Sequence, residues 1–452
     1  MLIAINPHDG ETVREFTALT GREMNERIEA ARAAFADWGG RSVGNRAEIL
    51  LKIADRLESR VEDLAYYMTE EMGKPISEAR GEVRKAAWCC RHYAEHAGKY
   101  LAPEEIASDA HRSYVEYRPL GAVLGILPWN APFWLAFRFL APALMAGNTC
   151  VMKHDPHVPG CAAAIADLFH NSGAPEGTVV NLPIETRDAA SAIRHPAIQA
   201  VSFTGSSGAG ARVAAAAAAE IKPAVLELGG SDPAIVLADA DLEAAADAIV
   251  LSRIINAGQS CIASKRIIVE RPIYDTFLAM LVGRFQQLKV GDPCDEATQV
   301  GPIARADLRD NLHRQVQTSI EQGADCILGG EMPSGPGFYY PVTLLAGLEN
   351  SMCACVEETF GPVASVLRAD DVDHAIAIAN DTPYGLAASL WTERERGIPL
   401  LARLNAGQVV LNGIVKTDPR LPSGGIKKSG YGRELGSHGI REFVNACQVW
   451  IG

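Results

Sequence analysis

The chain is 452 residues long, with 42 Lys plus Arg against 55 Asp plus Glu and a formal charge of −13 at pH 7. That acidity argues against a nucleic-acid backbone or an anionic membrane surface as partner. Apolar residues at 48% and charged residues at 21% describe a globular protein that buries a large core, and they exclude disorder over most of its length.

No stretch reads as a membrane span. The most apolar run, 132–147, carries Arg138 and Pro142 and is too short to cross a bilayer. The amino terminus lacks a basic start followed by an apolar run, so no secretory signal is expected. The ten cysteines are scattered and lack zinc-site spacing, so no metal is expected and reduced cytoplasmic thiols are.

In chain order, Ile28, Ala31, Phe35 and Trp38 share one helical face. Leu50, Ile53, Leu57, Val61, Leu64 and Met68 form a longer stripe that Gly73-Lys74-Pro75 stops. A third helix is predicted over 78–96. From residue 113 short apolar runs alternate with helical stretches. Strands are predicted at 123–127, 149–152, 179–182, 200–204 and 224–228, with helices at 134–146, 160–171 and 208–220. The same style returns at 234–237, a helix from Leu242, 266–269 and a helix from Ile273. The alternation predicts an α/β protein with two doubly wound domains divided near residue 230.

Several short segments carry chemistry. Gly205-Ser206-Ser207-Gly208-Ala209-Gly210 lies between a predicted strand and a helix, where free backbone N–H groups and the helix dipole favour a phosphate. It lacks the closing Lys-Ser/Thr of a P-loop, and Val213 stands where a dinucleotide fingerprint has its last glycine. Cys261 sits in the small polar turn Gly258-Gln259-Ser260-Cys261, a setting in which a thiol can be a nucleophile. Glu227, between apolar neighbours at a strand end, has the surroundings of a general base. Asn130, after a strand, can donate its amide to an oxyanion. Lys153 ends a strand, and Glu358 and Phe360 flank a turn. Each of these also has a plain structural reading, as a turn, a cap or a solvated strand end.

Taken together, these segments resemble the aldehyde dehydrogenase superfamily. The matching pieces are PWN at 128–130, Lys153, FTGSSGAG at 203–210, LELGG at 226–230, GQSC at 258–261, EETFGP at 357–362 and SGYGREL at 429–435. The resemblance covers essentially the whole chain. Within the superfamily the chain is most similar to bacterial succinate-semialdehyde dehydrogenases, through Lys153-His154, 226–233 and 412–435.

The resemblance implies a nicotinamide-cofactor domain over 1–100 and 120–230 and a catalytic domain over 231–435. An oligomerisation element over 101–119 and 436–452 would make a homodimer or homotetramer. It implies Cys261 as nucleophile, Glu227 as base and Asn130 as oxyanion donor. Trp129, Lys153, Gly205, Ser206, Glu358 and Phe360 would contact the cofactor. Arg138, Lys416 and Thr417 would face a substrate carboxylate. The implied reaction oxidises an aldehyde, foremost succinic semialdehyde, by hydride transfer to NAD(P) through a cysteine thiohemiacetal and thioester. Another small aliphatic, dicarboxylic or aromatic aldehyde is the alternative substrate. A catalytically silent binding protein is the alternative of another class. Two departures stand out: Ile255 occupies the place of an arginine in mammalian members, and Ala263 that of a second cysteine. Asp155-Pro156 after Lys153-His154 predicts NAD as the preferred cofactor with NADP possible, because a carboxylate repels a 2′-phosphate.

Overall fold

The first helix, Gly21–Trp38, starts on a capping box in which Thr20 and Glu23 satisfy each other's backbone N–H groups. The long apolar stripe is buried throughout, but it spans two helices, Val43–Ser59 and Val61–Met72. Arg60 leaves helical geometry between them. Gly73, at φ 74°, closes the second helix in the left-handed conformation, as a C-terminal glycine does. The helix Ile76–Tyr100 is longer than predicted.

The computed structural model, which describes residues 1–452, then forms two mainly parallel sheets. The first runs in the order Gly430–Tyr431, Ala224–Glu227, Ile198–Thr204, Ala122–Leu127, Thr149–His154, Val179–Asn181. All its pairings are parallel except that of Gly430–Tyr431. The central strand Ala122–Leu127 is flanked on one side by its successor and on the other by a strand some 70 residues on. That reversal of winding opens a crevice at the carboxyl ends of the two neighbours, the usual ligand position in such sheets. Pro128-Trp129-Asn130 leaves one strand there and Gly205-Ser206 the other.

The second sheet follows directly. Residues 228–232 lead from Glu227, the last residue of one sheet, to Pro233, the first of the next. Its order is Asp325–Leu328, Thr343–Ala346, Val363–Ala369, Arg266–Glu270, Pro233–Val236, Ala387–Trp391, Gln408–Leu411. A third, three-stranded sheet pairs Val444–Ile451 with Arg112–Pro119 over eight residues, and Glu104–Glu105 lies on the far side of the latter. The outer edge of Val444–Ile451 has no neighbour within the chain. The antiparallel pair Leu2–Ile5 and Thr12–Phe16 and the short helix Ala189–Arg194 went unpredicted. No helix is long and apolar enough to cross a membrane.

Candidate active site

Cys261 enters the strand Arg266–Glu270 from its amino end, whereas Glu227 stands at the carboxyl end of its own strand. The two sheets therefore face each other with opposite ends, and a cavity of about 650 Å³ lies between them. Asn130, Glu227 and Cys261 all line it, with Trp129, Arg138, Gly205, Ser206, Glu358, Phe360, Lys416 and Thr417. Of the residues expected from the sequence only Lys153 is outside this wall. It sits beside Ile126 in the register of the neighbouring strand.

The turn that leads to Cys261 is unusual. After the helix Leu242–Ile254, three consecutive residues, Asn256, Ala257 and Gly258, have φ of 57°, 53° and 75°. A left-handed alanine is disfavoured, so the surroundings must hold it. The Asn256 N–H donates to Glu78 (2.7 Å), and its side-chain amide donates to the carbonyls of Asn130 (2.7 Å) and Gln259 (3.1 Å). At Gly258 a Cβ would come within 2.3 Å of the Gly361 carbonyl oxygen. Cys261 emerges from this turn half-buried. Burial pushes its thiol up to about 12, and Glu358 and Glu227 add to that against Lys265 and Arg138. The resting side chain at neutral pH is the thiol, so attack needs a base.

Glu227 stands in the same cavity with the properties of such a base. Burial raises it to about 7; Arg138 opposes the rise and Glu434 adds to it. Its Oε2 accepts from Arg138 at 3.2 Å while Oε1 has no partner. The Asn130 amide donates to the Gln259 carbonyl at 3.0 Å, which leaves its second hydrogen for an oxyanion. The loop bearing Asn130 is anchored from the helical layer. Lys74 donates to the Asn130 carbonyl (3.0 Å) and pairs with Glu82. Glu82 in turn accepts from the Phe133 and Trp134 N–H groups at 2.9 and 3.1 Å, at the start of the helix Pro132–Met145. A carboxylate there complements the helix dipole.

Arg138 has partners that its local sequence does not show. The sequence reading offers it to a substrate carboxylate. It does line the cavity, but its guanidinium is buried between Glu227 and Glu434 and ion-paired with both. Two internal carboxylates already neutralise it. Lys416 and Thr417 also part company: the lysine is exposed and the threonine buried. Sequence reasoning missed Lys74, Glu82, Lys265, Asn256 and Glu434. Lys74 reads only as part of a helix stop, and Glu434 only as one letter of SGYGREL.

The cofactor wall suits a dinucleotide. The helix Ser207–Ala219 begins at the cavity with Ser206 as its cap, and a Cβ on Gly208 would meet nothing within 4 Å. The Thr204 hydroxyl on the same wall is buried without a partner. Trp129 and Phe360 meet edge to face, with centroids 5.8 Å apart. Glu358 accepts from the Gly230 N–H (3.1 Å) and pairs with Lys265 (3.3 Å), both through Oε1, and this leaves Oε2 for a ribose hydroxyl. The Lys153 side chain is buried and its ammonium bonds to nothing within the chain; burial lowers its pKa against the pull of Asp155.

A doubly wound sheet opposed across one cavity to a cysteine, a perturbed glutamate and an amide donor is the arrangement of an enzyme able to work through a covalent thiol adduct. The chain belongs to the aldehyde dehydrogenase family, whose model matches residues 2–449, and it is an NAD(P)-dependent enzyme of aldehydes. It is 47% identical over 451 residues to a probable NADP+ succinate-semialdehyde dehydrogenase of Synechocystis, covering 100% of this chain and 99% of that one. Identity to the Escherichia coli NAD(P)+ succinate semialdehyde dehydrogenase is 44%, covering 99% and 97%. The crystal structure of Streptococcus pyogenes succinic semialdehyde dehydrogenase with NADP+ superposes at a TM-score of 0.97 with 32% identity, over 100% of both chains.

Proposed function

We propose that this enzyme oxidises succinic semialdehyde to succinate with NAD or NADP. The observation that carries the reading is one cavity holding Cys261, Glu227 and Asn130, with Lys85 and Lys416 in its wall free of internal carboxylate partners. It is supported by the names of relatives that match along the full chain.

The free Oε1 of Glu227 takes the Cys261 proton as sulfur adds to the aldehyde carbon, and the Asn130 amide holds the oxygen that becomes negative. When bound, the nicotinamide supplies the hydride acceptor. Glu227 passes that first proton to solvent, then removes a proton from the water that cleaves the Cys261 thioester and returns it to the departing sulfur, releasing the acid and restoring the thiol.

Cofactor choice turns on the strand end at Lys153. NADP in the names of relatives does not support a preference for NAD. His154 cannot supply positive charge: it is buried, pushed down to about 4 by burial, and engaged with the Pro132 carbonyl at 3.1 Å. Lys153 is the cation available to a ribose hydroxyl or a 2′-phosphate, with Asp155 against the latter. Burial is the largest single influence and works to raise Asp155, but the hydrogen bonds from the His157 ring and N–H, with the charges of His157 and Lys153, together outweigh it and hold it below the ordinary carboxylate range. Asp155→Asn should raise the NADP-to-NAD ratio of kcat/KM by roughly tenfold, the effect of about 1.4 kcal/mol.

The initial rate of reduced-cofactor formation tests the whole reading, with succinic semialdehyde and butanal each offered with NAD and NADP and Cys261→Ala as control. Equal efficiency on the two aldehydes would discard the dicarboxylic substrate and leave the family chemistry standing. The open edge of Val444–Ile451 supports a homo-oligomer built on that strand, which light scattering would show as a multiple of the chain mass.

A further inference from the structure

Around the cavity nearly every charge has a partner inside the protein. Lys74 is paired with Glu82, Arg138 with Glu227 and Glu434, and Lys265 with Glu358. Of the cations in the wall only Lys85 and Lys416 lack a carboxylate partner, and Lys416 is exposed to solvent whereas Lys85 is the more buried of the two. It projects from the helix Ile76–Tyr100 into the cavity wall. Its ammonium lies 4.2 Å from the centroid of the buried Trp134 ring and donates to the Thr417 hydroxyl at 2.8 Å, with no carboxylate in ion-pair reach. The acids whose fields reach it are committed elsewhere, Glu82 to Lys74 and Asp418 to Arg420. A desolvated cation without a counter-ion is costly, and the aromatic ring and one hydroxyl offset that only in part.

We propose that Lys85, with the Thr417 hydroxyl, receives the distal carboxylate of the substrate and is the cation that sets its selectivity. The inference rests on the dicarboxylic reading above. Thr417 accepts one ammonium hydrogen, so two remain on Lys85, and the threonine's own hydrogen remains free to donate. Those three donors suit a carboxylate, and Trp134 covers the methylene chain between. Arg138, already neutralised, then serves to position Glu227.

Lys85 also gives the site a pH dependence. Burial, with Arg138 adding and Glu82, Cys89 and Asp418 opposing, brings its ammonium down to about 8. Above that pH the free enzyme loses the charge that a carboxylate seeks.

The test compares kcat/KM for succinic semialdehyde with that for butanal in wild type, Lys85→Met and Lys85→Arg. Loss of a charge-assisted bond predicts a fall of roughly 10- to 150-fold in that ratio for Lys85→Met, entering through KM. The arginine variant should keep most of the ratio. A wild-type ratio near one would overturn the dicarboxylic reading and this inference with it. A high wild-type ratio that survives Lys85→Met would overturn the role of Lys85 alone. Should Lys85→Met fail to fold, the wild-type pH series decides. KM for succinic semialdehyde rising through pH 8 while that for butanal does not supports the proposal, and parallel profiles overturn it.

Discussion

Replacing Arg138 by Met would remove the one cation between two buried carboxylates, Glu227 and Glu434. A unit pair about 4 Å apart at an effective dielectric of about 20 is worth about 4 kcal/mol. Because Arg138 divides its charge between two acids, about half of that falls to Glu227, which moves its titration up by about 1.5 pH units. The wild-type base titrates near 7. In the variant its ionised fraction at pH 7.5 should be about eightfold smaller, and butanal turnover, which needs no carboxylate recognition, should fall alike. The loss should vanish above about pH 9, once Glu227 ionises regardless. Stability should follow the same groups. A carboxyl raised on folding contributes stability below its unfolded pKa and loses it as pH rises through its folded value, so the variant should suffer most in alkali. Breaking a buried pair costs about 3–5 kcal/mol, or roughly 3–5 °C in Tm for a chain of 452 residues unfolding as one unit. The gap from wild type should narrow toward pH 5. A pH–rate profile superimposable on wild type, with a Tm deficit independent of pH, would refute the assignment of Arg138 as the cation that tunes Glu227.

Other perturbations probe the remaining supports. Alkylation of Cys261 by iodoacetamide, followed by peptide mass analysis because Cys294 and Cys326 are also exposed, should rise about tenfold per pH unit between 7 and 10; a plateau near 7 would mean a resting thiolate. Lys74→Met leaves Glu82 without its cation and frees the Asn130 loop, and should lower kcat about tenfold and the stability by about 3 kcal/mol, read in a denaturant titration. Gly258→Ala places a methyl against the Gly361 carbonyl in a left-handed turn, so activity should be lost even where circular dichroism shows a folded chain.

Much of the fold was legible because both sheets are mainly parallel and their central strands are buried. Strands such as 122–127 and 149–154 are buried at every residue, so they read as continuous apolar runs between amphipathic helices. The order of strands was not legible, since any strand in such a run can pair with any other. Cys261, Glu227 and Asn130 were singled out by motif order, and the fold brings the three to one cavity. The ion pairs of Arg138 were not legible because its partner Glu434 lies almost 300 residues away, and nothing local reports that a charge is already taken. Lys85 escaped notice for the mirror reason: its meaning lies in a counter-ion that is missing, and a sequence cannot show an absence in space.

The cavity draws Asn130 from one sheet, Cys261 and Glu358 from the other, and Thr417 from the late segment near the carboxyl terminus. No contiguous stretch of chain contains a working fragment of it. Turnover is therefore a late reporter of assembly. During refolding, helical signal from 21–100 should return before any activity does, and a chain cleaved between 228 and 232 should keep much of its secondary structure while having no basal rate to rescue.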